Sequence, residues 1–390
     1  MLDALRIRDF RLLLTGSVIS SAGTYLLVVA LPYRVFQLTG STTATGLSVV
    51  AQALPALAIG PVAGVFVDRW DLRRVLVVAD LFRAVALVTL LFADRPGHIA
   101  WVYVGLVAEN AGTVFFQPAA RAFLPALVGT GPVLGGANSL LAASNAVVGL
   151  VGPPVGAVLL TSLGLTGLVV LDMVSYAGSA IAVAATRGAT PAREPATSVH
   201  LELVAGLRAT AQRPTLRWLF VLGFVFLGAN AVFTALLIPF LALRFGGHAG
   251  AIGLLLSALG LGYLLGAPLA GVLARDRSAR LPVTFGLAGV GACFVVLANA
   301  PTFPVAVVAT GLAGLPGSVL LGATQTTIQR ETPAALLGRV GATFFAGNAL
   351  AELLGASVGS ATRGPPSLVL TVSAAAIVAS AGVAVVALRR

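Results

Sequence analysis

Apolar residues in this chain run in stretches of about 20, the length a helix needs to cross a bilayer, with short polar gaps between them. Twelve stretches fall near 12–34, 43–66, 75–93, 98–120, 134–161, 165–186, 217–241, 250–274, 282–300, 304–327, 340–361 and 367–388. Each should be an α-helix, because a segment in hydrocarbon must satisfy its own backbone hydrogen bonds. Residues 187–216 break the rhythm: they are polar, contain Pro191, Pro195 and Pro214, and are expected to link two six-helix halves, 1–186 and 217–390. Inside that linker, residues 201–213 repeat apolar positions at helical spacing, which predicts a short helix on the membrane surface. The expected fold is an all-α membrane protein of twelve transmembrane helices in two pseudo-symmetric bundles.

Charge sharpens the topology. Every one of the 24 basic residues is an arginine, and 19 of them fall in alternate gaps, against only Arg34, Arg95, Arg244 and Arg363 in the others and Arg83 within a span. Such asymmetry marks the arginine-rich gaps as cytoplasmic, and an even number of spans then places both termini there. A net charge of +11 can signal nucleic-acid binding. Here the arginines occupy short loops between spans, so the expected partner is the lipid bilayer and not a nucleic acid. With 58% hydrophobic and 9% charged residues the chain cannot cover a soluble globule. The first residues, MLDALRIRDF, show no short apolar core followed by a small-residue cleavage site, so no cleaved signal is expected and the first span is expected to direct insertion into a bacterial cytoplasmic membrane.

Enzyme chemistry finds little to work with. The chain has no lysine for a phosphate-binding loop, and His98, His200 and His248 have no second ligand at metal spacing. Cys293 sits in an apolar run as a small hydrophobe. No cofactor, no metal and no enzymatic activity are expected. The halves do repeat each other. Gly60–Val65 matches Ala267–Val272 at an offset of 207, and Asn145–Gly156 matches Asn348–Gly359 at an offset of 203. Two packed repeats that rock against each other are a transporter design.

The segment from Gly64 to Arg74, GVFVDRWDLRR, lies between the second and third spans. Its glycine, an aspartate four residues on, and the following arginines resemble the signature of the major facilitator superfamily, and the resemblance extends over essentially the whole chain. It implies the major facilitator fold, a secondary active transporter, and a cytoplasmic gate built from Gly64, Asp68, Arg69, Arg73 and Arg74, with Asp80 and Arg83 as a local pair tied to it. The chain departs from the pattern at Asp71 and Leu72, and the second-half copy, Gly271 to Arg280, has Arg275 where an aspartate would stand. A finer similarity, carried by RAFLPALV, LDMVSY and IQRETPAALLGRVGA, is to the branch containing enterobactin exporters and macrolide efflux proteins. Gly149, Gly152, Pro153 and Gly156 resemble a shortened glycine-proline motif of drug and proton antiporters, which implies export; ordinary helix packing is the alternative.

Ionisable groups inside a membrane are costly, so each suggests a function. Glu109, mid-span beside Asn110, is the first candidate for a proton-titrating or cation-recognising carboxylate. Glu352 stands where the repeat has Gly149, and Asp172 lies mid-span in the sixth helix, where a structural hydrogen-bonding role is favoured. The family's arginine in span four is replaced by Ala108, four residues before Gly112. Polar residues on helices that line family cavities are Ser17, Ser20, Ser21, Thr24 and Tyr25, then Asn230 and Thr234, then Thr324 and Gln325. With Phe115, Phe116, Phe226 and Phe233 they suggest an amphipathic pocket. The expected activity is proton-coupled efflux of small amphipathic organic compounds, drug or siderophore-like, by a monomer. The alternatives are a metabolite importer of the same fold, or a membrane receptor or assembly factor that moves nothing.

Changing Asp68 to Asn should shift the population toward inward-facing states. Cysteine labelling from both faces tests this: identical accessibility before and after the substitution contradicts a gate at Asp68.

Overall fold

A computed structural model describes residues 2–93, 95–129, 131–187, 199–247, 249–273, 278–333 and 336–388. Each of the twelve expected spans corresponds to a helix. In chain order these are α1 (Arg8–Thr39), α2 (Thr42–Arg69), α3 (Leu72–Ala86) and α4 (Ile99–Val128), followed by α5 (132–163) and α6 (165–184). The second set is α7 (Pro214–Phe245), α8 (Ala249–Leu273), α9 (Arg280–Ala298), α10 (Phe303–Glu331), α11 (Leu337–Ala361) and α12 (Pro366–Ala387). A shorter helix, Val199–Gln212, falls where the amphipathic pattern placed one. Ten described segments are long and apolar enough to cross a membrane; the run Val133–Ala184, 52 residues, is one of them. At 1.5 Å per residue that run is too long for a single crossing, so it comprises two spans.

Local sequence explains where elements bend or start. Gly164 has φ 66° and ψ −179°, a conformation essentially restricted to glycine, and it turns the chain from α5 into α6. The third span is helical over fewer residues than its apolar run: α3 ends at Ala86 and tightens into a 3₁₀ turn over Leu87–Phe92. Asp71 caps α3, its Oδ1 accepting from the Arg74 amide at 2.8 Å. That gives a physical use to one of the two departures from the family pattern.

The chain divides into two compact units, one of residues 1–39 and 51–199 and one of residues 40–50 and 200–390. Within the first, α1 packs on the α5–α6 pair and α3 packs on α4 and on that same pair. Within the second, α7 packs on α11 and α12, α9 on α10 and α12, and α8 on α10. The repeat noted in sequence thus recurs as packing. Gly152 and Gly156 of α5 meet α1 so closely that an added Cβ would lie 2.5 Å from the Tyr25 Cβ and 2.3 Å from the Leu26 carbonyl oxygen. Of their repeat counterparts on α11, Gly355 is as tight, a Cβ there lying 2.0 Å from the Gly228 carbonyl oxygen, while one on Gly359 would meet the Ala235 Cβ at 3.0 Å. Small residues at such crossings let helices approach where lipid supplies no hydrophobic drive. The short helix Val199–Gln212 also comes close to α11, with Gly206 against the Arg339 carbonyl.

Gly156→Ala should destabilise the protein by about 1–3 kcal/mol, because the obstructing atom is backbone and cannot yield. Gly149→Ala should be nearly neutral, since its Cβ would meet only the Tyr25 ring at 3.3 Å. Thermal unfolding in detergent checks the contrast, and equal midpoints for the two variants contradict the tight α1–α5 crossing.

Candidate functional site

Three helices of the first unit carry charged or polar residues on one face each. On α6, Asp172, Ser175, Tyr176 and Ser179 follow i, i+3, i+4, i+7, the spacing of one helical stripe. On α4, Glu109, Thr113 and Phe116 share a face, and on α3 Asp80 and Arg83 lie one turn apart. Packing of α3 against α4 and α6 brings the three faces together. Asp80, Arg83, Glu109, Asp172, Ser175 and Ser179 are all buried.

Glu109 is the best-connected acid. Its Oε1 accepts from the Tyr176 hydroxyl at 2.7 Å and, at 3.4 Å, from Thr113; its Oε2 accepts from Asn110 Nδ2 at 2.8 Å. Thr24 of α1 lies 2.9 Å from the same Tyr176 hydroxyl. Because the single proton of Tyr176 goes to Glu109, Thr24 supplies the proton between the two hydroxyls, in competition with the Ser20 carbonyl 3.1 Å away. Asp172 accepts from Ser175 Oγ at 2.9 Å. Arg83 pairs with Asp80, and its guanidinium stands 4.3 Å from the centre of the Phe116 ring and 4.3 Å from that of Tyr176. A desolvated cation–π contact contributes on the order of 2 kcal/mol. Removing ions from water costs several kcal/mol apiece, so this cluster is a burden on stability and points to a use.

The surroundings are layered along the bundle. Toward the start of α1 and α3 and the ends of α4 and α6 lies an apolar core that includes Phe10, Leu13, Leu72, Leu76, Phe116, Phe123 and Val183. Toward the other end lies a cavity of about 30 Å³, lined among others by Thr24, Leu27, Gln52, Leu87, Leu106, Glu109 and Asp172. That is room for a water molecule or two. The charged cluster sits between these layers, closed on one side by hydrocarbon and touched on the other by a polar-edged cavity.

The sequence-predicted residues divide accordingly. Asp80 and Arg83 do pair, and the structure places them in contact with the Glu109 network through Tyr176. Arg73 donates to the carbonyl of Ala184, the last residue of α6, and so serves a helix C-terminus. Arg74 is exposed. Gly64, Asp68 and Arg69 lie outside the residues whose side chains are described, and Arg275 lies outside the described residues. Ser20 is buried, while Ser21 donates to Asn145 of α5 at 3.1 Å and Tyr25 lies on Gly149 and Gly152. Ser21 and Tyr25 thus take part in the crossing with α5. In the second unit Glu352, Thr234 and Gln325 are exposed and Asn230 is half-buried. Phe233 stacks on Phe294 at 4.1 Å, so it packs α7 against α9. Tyr176, Ser175 and Ser179 were not singled out from sequence, although the polar stripe in an apolar helix was there to find.

The chain is similar to known transport proteins over most of its length. The chain is 27% identical over 340 residues to the multidrug efflux pump Tap of Mycolicibacterium fortuitum, covering 84% of this chain and 83% of the pump. It is 26% identical over 383 residues to the enterobactin exporter EntS of Citrobacter koseri, covering 97% and 90% respectively. Among solved structures, a bacterial homologue of the iron transporter ferroportin in an inward-facing state superposes with a TM-score of 0.79 at 16% identity, covering 98% of this chain and 99% of that one. A POT family transporter gives 0.79 at 12% identity, covering 97% and 96%; at such identities the likeness is one of fold. The family model of the Major Facilitator Superfamily matches residues 13–356, and this multi-pass membrane protein belongs to that family of transporters.

Proposed function

We propose that the chain exports small amphipathic organic compounds, drug or siderophore-like, across the cytoplasmic membrane of a bacterium in exchange for protons, by alternating access and with both termini in the cytoplasm. The observation that carries the proton half is a local charge balance: among the described residues Asp80, Glu109 and Asp172 are buried around a single buried arginine, Arg83. Two uncompensated carboxylates in a dry helix bundle cost several kcal/mol, and a proton is the counter-charge that fits without further space. Glu109 and Asp172 both line the small cavity, which has room for a water molecule beside them. Glu109 is the favoured carrier because the hydroxyl and amide donors around it can hold its carboxylate form after a proton leaves. Glu352 is the separate carboxylate of the second unit, suited by its exposure to recognise a cationic part of a substrate.

Export is favoured over uptake by the two exporters to which the chain is similar along most of its length, and by the glycine stripe of α5, which here packs directly on α1. The substrate class follows from the same relatives. Gating at the arginine-rich ends by Asp68, Arg69, Arg73 and Arg74 remains part of the proposal.

Growth protection against a panel of toxic amphipathic compounds should identify substrates, and vesicles reconstituted with the pure protein should then show proton flux coupled to each. Glu109→Gln should abolish the pH dependence of transport and leave the folded protein in the membrane. Undiminished proton coupling in that variant removes Glu109 from the mechanism, and counterflow that never exceeds empty vesicles identifies a receptor.

A further inference from the structure

Span four has Ala108 where the family's arginine would stand, yet an arginine reaches the span-four acid by another route. The stem of Arg83 crosses from α3 over Gly112 of α4, where an added Cβ would lie 2.5 Å from Arg83 Cγ. Beyond that gap the guanidinium is held between Phe116 and Tyr176, and the Tyr176 hydroxyl bonds directly to Glu109. Arg83 is the only arginine buried to this degree among the described residues. Its hold on Asp80 is incomplete. Asp80 Oδ2 and Arg83 Nε are both buried without a hydrogen-bond partner, so the pair uses one edge of a guanidinium that can donate five hydrogen bonds. Aromatic faces attract a cation without fixing its direction as a bidentate carboxylate would, which leaves the group free to turn.

We propose that Arg83 is the exchangeable counter-charge of Glu109: Asp80 holds it while Glu109 carries a proton, and it swings toward Glu109 along the Tyr176 ring when that proton leaves. In the step the O–H bond of the Glu109 carboxyl breaks, the proton passes to water in the cavity that Glu109 lines, and Arg83 and Tyr176 keep their own protons. The acids around Arg83 are Asp80 on its own helix, Glu109 on α4 and Asp172 on α6; Tyr176 is the other titratable neighbour, and α1 contributes only the uncharged Thr24. Arg83 is thus a positioning residue for proton exchange, joining α3 to α4 and α6 through charge. A fixed clasp between Asp80 and Arg83 would serve stability alone.

This assignment rests on Glu109 being the proton carrier. The full chain in lipid nanodiscs, titrated by infrared spectroscopy, gives the test: the carboxylic-acid band lost in Glu109→Gln reports the Glu109 proton. Arg83→Gln should raise the pH midpoint of that band by about one unit or more, as loss of a nearby opposite charge does, and Arg83→Lys should restore most of it. Asp80→Asn should lower the midpoint, because Arg83 is released to Glu109. A fixed clasp shifts the midpoint in the same directions through charge alone, so exchange is read from the guanidinium bands that Arg83→Lys removes: they move across the Glu109 titration in an exchanging pair and stay in place in a fixed one, which overturns the assignment. A folded Arg83→Gln with an unmoved midpoint overturns the assignment, as does an Asp80→Asn midpoint that stays or rises. Where Arg83→Gln fails to fold, the wild-type guanidinium bands and Asp80→Asn decide together. If the wild-type band titrates at no pH, the proton reading of Glu109 falls and this one with it; if it titrates but ignores both substitutions, only the role of Arg83 falls.

Discussion

A guanidinium lodged in hydrocarbon between two aromatic rings sets the terms for the first unit. Arg83 cannot shed its charge, so α4 must bring Phe116, α6 must bring Tyr176 and α3 must carry Asp80 to the same depth. Attraction to two rings and one carboxylate offsets only part of the cost of desolvation, and the remainder is borne by packing of the apolar core that begins at Phe116 itself. Such an arrangement resists piecemeal change. Removing the arginine strands Asp80, and removing Asp80 strands the arginine.

Glycine placement makes the arrangement geometrically possible. At Gly112 the arginine stem passes a neighbouring helix, and at Gly23 α1 comes so close to α6 that a Cβ would collide with Asp172 and Ser175. At Gly152 and Gly156 α5 lies on α1, and the second unit repeats that contact between Gly355 and Gly228. The repeat therefore conserves the close crossings within the chain while the charges differ: the first unit concentrates three acids and an arginine in its interior, and Glu352 in the second is exposed. Symmetry governs the scaffold, and asymmetry governs the chemistry.

Helix number, span positions and the short helix at 199–212 were legible because each rests on a local pattern of length or periodicity. The pairing of Asp80 with Arg83 was legible for the same reason, being one turn apart on one helix. Its surroundings were not, because Phe116, Tyr176 and Glu109 lie on other helices and only packing brings them near. Asp71 interrupted a family pattern whose replacement function, capping α3, depends on backbone geometry. Ser21 and Tyr25 read as cavity residues from polarity, which says nothing of the helix contacts they also make, to Asn145 and to Gly149 and Gly152 of α5.

The arginines, uniform in sequence, thus divide by depth. Arg73 meets the carbonyl end of α6, where a positive charge is favourable, and so complements a helix terminus. Arg83, ten residues on, is about three turns deeper by helical rise and has no water-facing surface to speak of, only acids and aromatic rings. The same side chain in the same helix therefore performs electrostatic orientation at one level and charge compensation at the next. Depth, not residue type, assigns the role, and depth is the quantity that the span pattern supplies once the register of α3 against α4 and α6 is known.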